Sequence, residues 1–307
     1  MTREFHTFDV FTERAFAGNP LAIVTDGQGL DTQAMQTIAR EFNLSETVFL
    51  LPPENPAHSA RVRIFTPGME LPFAGHPTVG TAIFLAMQNW GQNGEESEDE
   101  EDAIIVLEES VGPVRVGVRM RRDETPYAVF DLPKMAEEMG LARPNDAIAA
   151  ALGITVEEIG FENHVPSVFS AGNPFGFVPV RNLEVISRVQ ILAQHWDDAF
   201  TSDSHPAAFV YTRETVDPDA AFHTRMFWPA IGIGEDPATG SAVAAFTGVI
   251  QRFDAPGEGQ YSGVVEQGFE MGRASRMTLE MEIKGAELKG GRIGGHAVPV
   301  MQGHLLA

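Results

Sequence analysis

The chain has no cysteine. That excludes disulfides, thiolate metal sites and cysteine nucleophiles, and with them racemases that pass protons between two thiols. Positive charge is scarce: 21 Lys and Arg stand against 43 Asp and Glu, a formal net charge of −22. Such a chain repels polyanions, so neither nucleic acid nor an anionic membrane is expected as a partner. No apolar run reaches the ~18 residues of a membrane-spanning helix. Met1-Thr2-Arg3-Glu4 leads into strand-like sequence without the apolar stretch of a signal peptide, and a cytoplasmic location is the expectation. A Walker A loop, a Gly-x-Ser-x-Gly elbow, a nucleotide fingerprint and zinc-hydrolase motifs are all missing. The nine histidines form no i, i+4 pair on one helix. A reaction with no cofactor and no metal is favoured.

What is present is repetition. Ala17-Gly18-Asn19-Pro20 returns 154 residues later as Ala171-Gly172-Asn173-Pro174. Arg63-Ile64-Phe65-Thr66-Pro67 returns 162 residues later as Arg225-Met226-Phe227-Trp228-Pro229. Each of the latter precedes a small-residue segment that opens an apolar helix: Gly75-His76-Pro77-Thr78-Val79-Gly80 in the first half, Asp236-Pro237-Ala238-Thr239-Gly240-Ser241-Ala242 in the second. Two echoes in one order suggest a duplicated lobe, with a helix N-terminus of each lobe turned to a shared cleft. The 43% hydrophobic content of 307 residues suffices for two cores. Lobes of 1–130 and 131–294 are expected, with a C-terminal strand at about 295–307 returning to the first.

Strands are expected at 3–10, 21–24, 47–51, 60–65, 103–107 and 114–120, with a helix capped by Asp31 after the second. The second half predicts a helix near 146–152, strands at 165–170 and 175–180, a helix near 183–194, then strands at 208–211 and 222–227. Strands at 277–283 and 292–301 close the chain. Pro77 and Pro237 suit the first turns of two long helices. Segments 79–87 and 242–250 are apolar on every side, as a helix wrapped by a sheet requires. The fold class is α+β: two pseudo-symmetric lobes, each a mainly antiparallel curled sheet around a central helix. Seven of the eight residues at 95–102 are acidic, which reads as a solvated, mobile loop.

The chemistry gathers at the helix starts. Asp236 before Pro237 makes an ordinary helix cap, but Thr239-Gly240-Ser241 adds free N–H groups and a hydroxyl that suit a carboxylate or enolate oxygen. Gly75 and His76 supply the matching end. Histidine changes charge near neutral pH, so His76 could protonate a substrate or hold a carboxylate. Glu46, between Ser45 and Thr47, precedes an apolar strand; facing a dry cleft, its carboxyl would have a raised pKa and could shuttle a proton. Two registers relate the helix starts. One matches Pro77 to Pro237; the other matches Gly75-His76 to Gly240-Ser241 and aligns the two anion sites.

Further segments complete a pattern: Phe8-Asp9-Val10-Phe11, Gly18-Asn19-Pro20-Leu21-Ala22, Glu41 to Thr47 with Ser45-Glu46-Thr47 at its end, Phe73-Ala74-Gly75-His76-Pro77-Thr78, Gly234-Glu235-Asp236-Pro237-Ala238-Thr239-Gly240-Ser241, Glu266-Gln267-Gly268 with Glu270-Met271-Gly272-Arg273, and Gly294-Gly295. In order and across nearly the whole chain, these resemble the phenazine-biosynthesis isomerase (PhzF-like) family. The resemblance implies a fold like diaminopimelate epimerase, with Gly75 and Gly240 in place of that enzyme's two thiols. It implies Glu46 as proton carrier and His76 and Asp236 as groups that hold or assist the substrate. Gly75, Gly240 and Ser241 would grip its carboxylate. The family's best-known member isomerises a dihydro-hydroxyanthranilate without a cofactor. The family precedent and exposed sheet edges favour a homodimer. A binding protein that lost the chemistry, and a hydrolase or lyase on a small acid, are the competing classes.

Overall fold

The computed structural model describes residues 2–90, 100–200 and 206–306. The chain divides into two compact units, Met1–Pro133 with Gly294–Ala307, and Lys134–Ile293. The first unit contains β1 (Arg3–Val10), β2 (Asn19–Val24), α1 (Thr32–Phe42), β3 (Glu46–Leu51), β4 (Ala60–Phe65), β5 (Glu70–Leu71), α2 (Gly75–Asn89), β6 (Glu100–Glu109), β7 (Gly112–Arg121) and β8 (Tyr127–Asp131). The second contains β9 (Glu137–Glu138), α3 (Asn145–Leu152), β10 (Ser167–Ser170), β11 (Pro174–Pro179), α4 (Leu183–Ser187), α5 (Ala193–Ala199), β12 (Ala208–Thr212), β13 (Phe222–Trp228), β14 (Ile233–Asp236), α6 (Gly240–Phe253), β15 (Gly259–Gln267) and β16 (Ser275–Lys284). The last strand, β17 (Glu287–Leu305), pairs through Ala297–Leu305 with β1.

The duplication is written in the strand directions. From β1 through β2, β3, β4 and β6 to β7 the pairings run antiparallel, parallel, antiparallel, parallel, antiparallel. From β10 through β11, β12, β13 and β15 to β16 they run in the same sequence. Each parallel joint needs a crossover. Helix α1 bridges β2 to β3, and α4 with α5 bridge β11 to β12. Helix α2 bridges β4 to β6, and α6 bridges β13 to β15.

Strands surround both long helices. Helix α2 packs on β1, β2, β3, β6, β7 and β8, and α6 on β9, β10, β11 and β16. Every residue from Gly75 to Phe84 is buried, as is every one from Ala242 to Ile250. Such helices have no solvent face to mark with polar residues, which is why their sequences carry no amphipathic stripe. Close approach needs glycine at two points. A Cβ on Gly80 would lie 2.6 Å from Leu21 Cδ2 and 2.7 Å from Val10 Cγ2, and one on Gly248 would lie 2.4 Å from Phe169 Cδ1. Helix α1 covers the other side of its sheet. Asp31 Oδ1 accepts the Ala34 N–H at 2.8 Å, and Met35 and Ala39 pack with Val24, Phe49 and Phe65.

Three expectations are corrected. The single helix near 183–194 is two, α4 and α5, because Gln190 N and Leu192 N donate to Leu152 O and Ala151 O at the end of α3. Strand β15 has no alternating pattern to read, since only its last three residues are buried. Pro77, third in α2, lies in that helix's first turn as expected, whereas α6 starts at Gly240, so Pro237 precedes it instead of opening it. Of the acidic block, 95–99 lies outside the described residues, while Glu100–Asp102 is strand, not loop. These three face Arg121, Met120 and Arg119 across β7, and Arg121 bonds Asp102 Oδ1 at 2.9 Å, the kind of cross-strand charge pair that favours pairing. Among the described residues no helix is long and apolar enough to cross a membrane.

Candidate active site

In the first unit, Glu46 is the first residue of β3 and lies beside Leu21 of β2 in parallel register. That register brings it to the Asn19-Pro20 corner, where Gly18 is held in the left-handed region at φ 64°; a Cβ there would lie 2.3 Å from Val10 O. The first turn of α2 arrives at the same place. His76 Nδ1 lies 3.2 Å from Glu46 Oε2 and 3.3 Å from Asn19 Nδ2. Both side chains are buried, Glu46 at 7% and His76 at 2% exposure. His76 Nε2 has no hydrogen-bond partner among the described residues, so that nitrogen is the one left for an added molecule.

Burial pushes the His76 imidazole down to about 3, against the opposite pull of the Pro20 carbonyl. The ring is therefore neutral at any working pH. This corrects the reason for which His76 drew notice in the sequence: it offers a hydrogen bond, not a charge that switches near neutrality.

No side chain caps α2, whose N-cap is Ala74. Pro77 has no N–H, so Gly75 and His76 are the donors this end presents. An uncapped end forgoes about 1 kcal/mol relative to a good cap, and a bound carboxylate would recover a comparable amount from the helix dipole.

In the second unit, Asp236 ends β14 and does not cap α6. The N-cap is Thr239, yet its hydroxyl is turned away from the helix and donates to Asp236 Oδ2 at 2.6 Å. Gly240 and Ser241 therefore start another helix with no side-chain cap. Gln267, fully buried, clamps the turn: its Nε2 donates to Asp236 O at 2.6 Å and Thr239 Oγ1 at 3.1 Å, and its Oε1 accepts from Thr239 N at 3.3 Å. The structure thus gathers Glu46, Gly75 and His76 within the first unit and Asp236, Gly240 and Ser241 within the second. Asn19 and Gln267, which help hold them, are not singled out by the sequence; Asn19 is legible only as a turn residue, and Gln267 only as part of a motif.

The register question resolves in favour of Gly75-His76 with Gly240-Ser241. Arg63 grips Glu70 through two bonds at 2.7 and 2.6 Å, and Arg225 grips Glu235 likewise at 2.7 and 2.8 Å. Each glutamate lies five residues before its helix glycine, and Pro72 then matches Pro237. The repeat also exposes an asymmetry. The parallel register of β11 and β12 puts Gly176 beside Ala208, so Ala207 occupies the position that Glu46 holds beside Leu21. Leu71 likewise matches Asp236.

A second pair of glutamates staples the loops. Glu108 accepts the N–H groups of Glu54 and Asn55 at 2.7 and 2.8 Å, and Glu266 accepts those of Val216 and Asp217, 162 residues on, at 2.6 and 2.9 Å. Glu266 also meets His223 Nδ1 at 2.6 Å, and Glu270 meets its Nε2 at 3.0 Å. Burial opposes charge on His223, but these two carboxylates outweigh it and push the imidazole up to about 9. Elsewhere in the second unit, Glu162, His164 and Asp254 bring their ligand atoms within 4.8 Å of one another. Arg213 fills that space, with Nη2 2.5 Å from Asp254 Oδ1, 3.2 Å from Glu162 Oε2 and 3.2 Å from His164 Nε2. A groove of about 1040 Å³ on the first unit is lined by His58, Arg61, Arg63, Glu70 and Glu108 and by none of the expected site residues.

The phenazine biosynthesis-like protein family, PhzC-PhzF, matches residues 8–303. An uncharacterized isomerase of Mesorhizobium japonicum is 52% identical over 307 residues, covering 99% of both chains. The trans-2,3-dihydro-3-hydroxyanthranilate isomerase of Pseudomonas fluorescens is 31% identical, covering 97% of both. Among solved structures, a Bacillus anthracis phenazine biosynthesis protein of the PhzF family superposes with a TM-score of 0.87 at 26% identity, covering 100% of both chains. The chain belongs to the phenazine biosynthesis-like (PhzC-PhzF) family and is an isomerase of that type.

Proposed function

We propose that this isomerase moves a proton between two carbons of a small carboxylate-bearing substrate, using its own side chains and no cofactor. The observation that carries the reading is a buried carboxyl, Glu46, 3.2 Å from a neutral imidazole, His76, at the uncapped start of α2. Glu46 takes a proton from one carbon, and the electron pair left behind spreads through the substrate's conjugated system. Glu46 then returns the proton to another carbon. Nothing leaves and mass is conserved. His76 and Asp236 hydrogen-bond the substrate's substituents. The Gly75 N–H at the start of α2, and the Gly240 N–H with the Ser241 hydroxyl at the start of α6, are the groups that suit a substrate carboxylate.

The substrate named for the Pseudomonas relatives, a dihydro-hydroxyanthranilate, is the first to try. In heavy water, deuterium should enter the substrate or product with the wild type. General acid–base catalysis contributes roughly 10²- to 10⁴-fold, so Glu46→Gln should lose at least about 100-fold in exchange while keeping its fold. Exchange at the wild-type rate by Glu46→Gln would remove Glu46 from the mechanism. A change in product mass would move the reading to a hydrolase or lyase. We take the working form to be a homodimer; a single monomeric peak on sizing at micromolar concentration would overturn that.

A further inference from the structure

Glu109 ends β6 beneath the first turn of α2 and is 7% exposed. Its Oε1 lies 2.6 Å from Thr78 Oγ1, and its buried Oε2 has no hydrogen-bond partner among the described residues. Thr78 Oγ1 also lies 2.8 Å from the Ala74 carbonyl oxygen. A hydroxyl has one hydrogen, and a carbonyl oxygen only accepts. If Thr78 donates to Ala74, the contact with Glu109 needs a hydrogen from Glu109, which must then be a neutral acid. The opposite assignment buries a full charge with one hydrogen bond on one oxygen and none on the other.

The second unit provides an independent comparison. Arg61 pairs with Glu108 where β4 meets β6, and His223, its repeat equivalent, pairs with Glu266 where β13 meets β15. The next residue is Glu109 in one unit and Gln267 in the other. Gln267 is uncharged by its covalent structure, and it holds the turn before α6. A protonated Glu109 has the same shape and one donor. Glu109 lines the groove of the first unit together with Glu54, His58, Arg61, Arg63, Glu70 and Glu108, and those charged groups have other partners, Arg63 being paired with Glu70. Glu108 turns to the backbone of Glu54 and Asn55 and to His58, Arg61 pairs with Glu54, and His76 on α2 faces Glu46. On β7 the residue beside Glu109 is Gly112.

We propose that Glu109 is a positioning residue of the isomerase site that works as a neutral acid, donating to Thr78 so that Thr78 can donate to Ala74 and fix the turn presenting Gly75 and His76. This rests on placing Gly75, His76 and Glu46 in the site. An ionised Glu109 can only accept; it draws the Thr78 hydrogen from Ala74 and loosens the turn. Burial pushes Glu109 up to about 8, against the pull of the Thr78 hydroxyl, so the change falls on the alkaline side of neutrality.

The test compares wild type, Glu109→Gln and Glu109→Ala from about pH 6 to 10. Deuterium exchange into dihydro-hydroxyanthranilate is read beside the NMR signals of the His76 ring. In the wild type, exchange should fall about tenfold per pH unit above the Glu109 transition, and the His76 signals should shift with the same midpoint although that ring does not itself ionise there. Glu109→Gln should keep the activity and lose both transitions. Glu109→Ala should exchange at least about tenfold more slowly at every pH. Identical alkaline limbs and identical His76 shifts in wild type and Glu109→Gln would overturn the proposal. If no protein exchanges but the His76 transition is present in wild type and absent in Glu109→Gln, the substrate reading fails while the role of Glu109 stands.

Discussion

Replacing Glu109 by Gln should stabilise the protein at neutral pH, by an amount that grows with pH. In the unfolded chain the carboxyl titrates at its ordinary 4.5, and in the folded chain at about 8. Between these values the folded state holds a proton that the unfolded state has lost, so stability is fully present below the lower value and declines until the upper one is passed. Each pH unit removes about 1.4 kcal/mol, which amounts to roughly 3 kcal/mol by pH 7. Glutamine has no proton to retain, and its amide keeps a donor toward Thr78. The alkaline loss from His223 has the same sign, since its raised value makes its ion pairs stabilising below 6.5 and lost as pH rises through about 9. Both proteins contain His223, so its contribution cancels in the difference. Urea unfolding followed by tryptophan fluorescence, from about pH 5 to about pH 8, gives the two stabilities. The variant's advantage should rise from near zero to about 3 kcal/mol at neutrality. A difference that stays constant across this range, or a variant less stable than wild type at pH 7, would refute the protonated state of Glu109.

Gly80→Ala should destabilise the first unit. The added Cβ meets Leu21 and Val10 at 2.6 and 2.7 Å, and overpacking of about 1–3 kcal/mol outweighs the ~1 kcal/mol that alanine gains in a helix; a raised denaturation midpoint would contradict this. Glu266→Gln removes one of two carboxylates facing His223, so the imidazole should titrate well below about 9 in an NMR titration. An unchanged titration would assign the shift to Glu270 alone. The same variant keeps an acceptor for only one of Val216 N and Asp217 N, so a stability loss of about 3–5 kcal/mol is expected with it.

The repeated phrases of the sequence marked the repeated joints of the fold because both are set locally. Ala17-Gly18-Asn19-Pro20 and its copy are corners, and a corner needs Gly and Pro wherever it occurs. Arg63 and Arg225 each brace the strand before a helix, and that demand too is local. The chemistry-bearing residues were legible in part for the same reason: small residues at a helix start leave N–H groups open. Glu46 was different. Nothing beside it in the chain distinguishes it from a solvated glutamate, and it drew notice through the family pattern. Its burial against His76 comes from the parallel pairing of β2 and β3, a contact between residues far apart in sequence.

What the sequence determined by itself was the inventory: α+β lobes in duplicate, no thiol chemistry, and carboxylate, imidazole and helix N-termini as the available tools. The tertiary structure decided the states of those tools. Burial sets His76 neutral and Glu109 protonated, and two converging carboxylates hold His223 charged. The same unperturbed side chains in water would titrate near 6.5, 4.5 and 6.5. Protonation depends on what surrounds a group in space: burial shifts His76 and Glu109 against the pull of Pro20 and Thr78, and Glu266, 43 residues away along the chain, helps hold His223 charged.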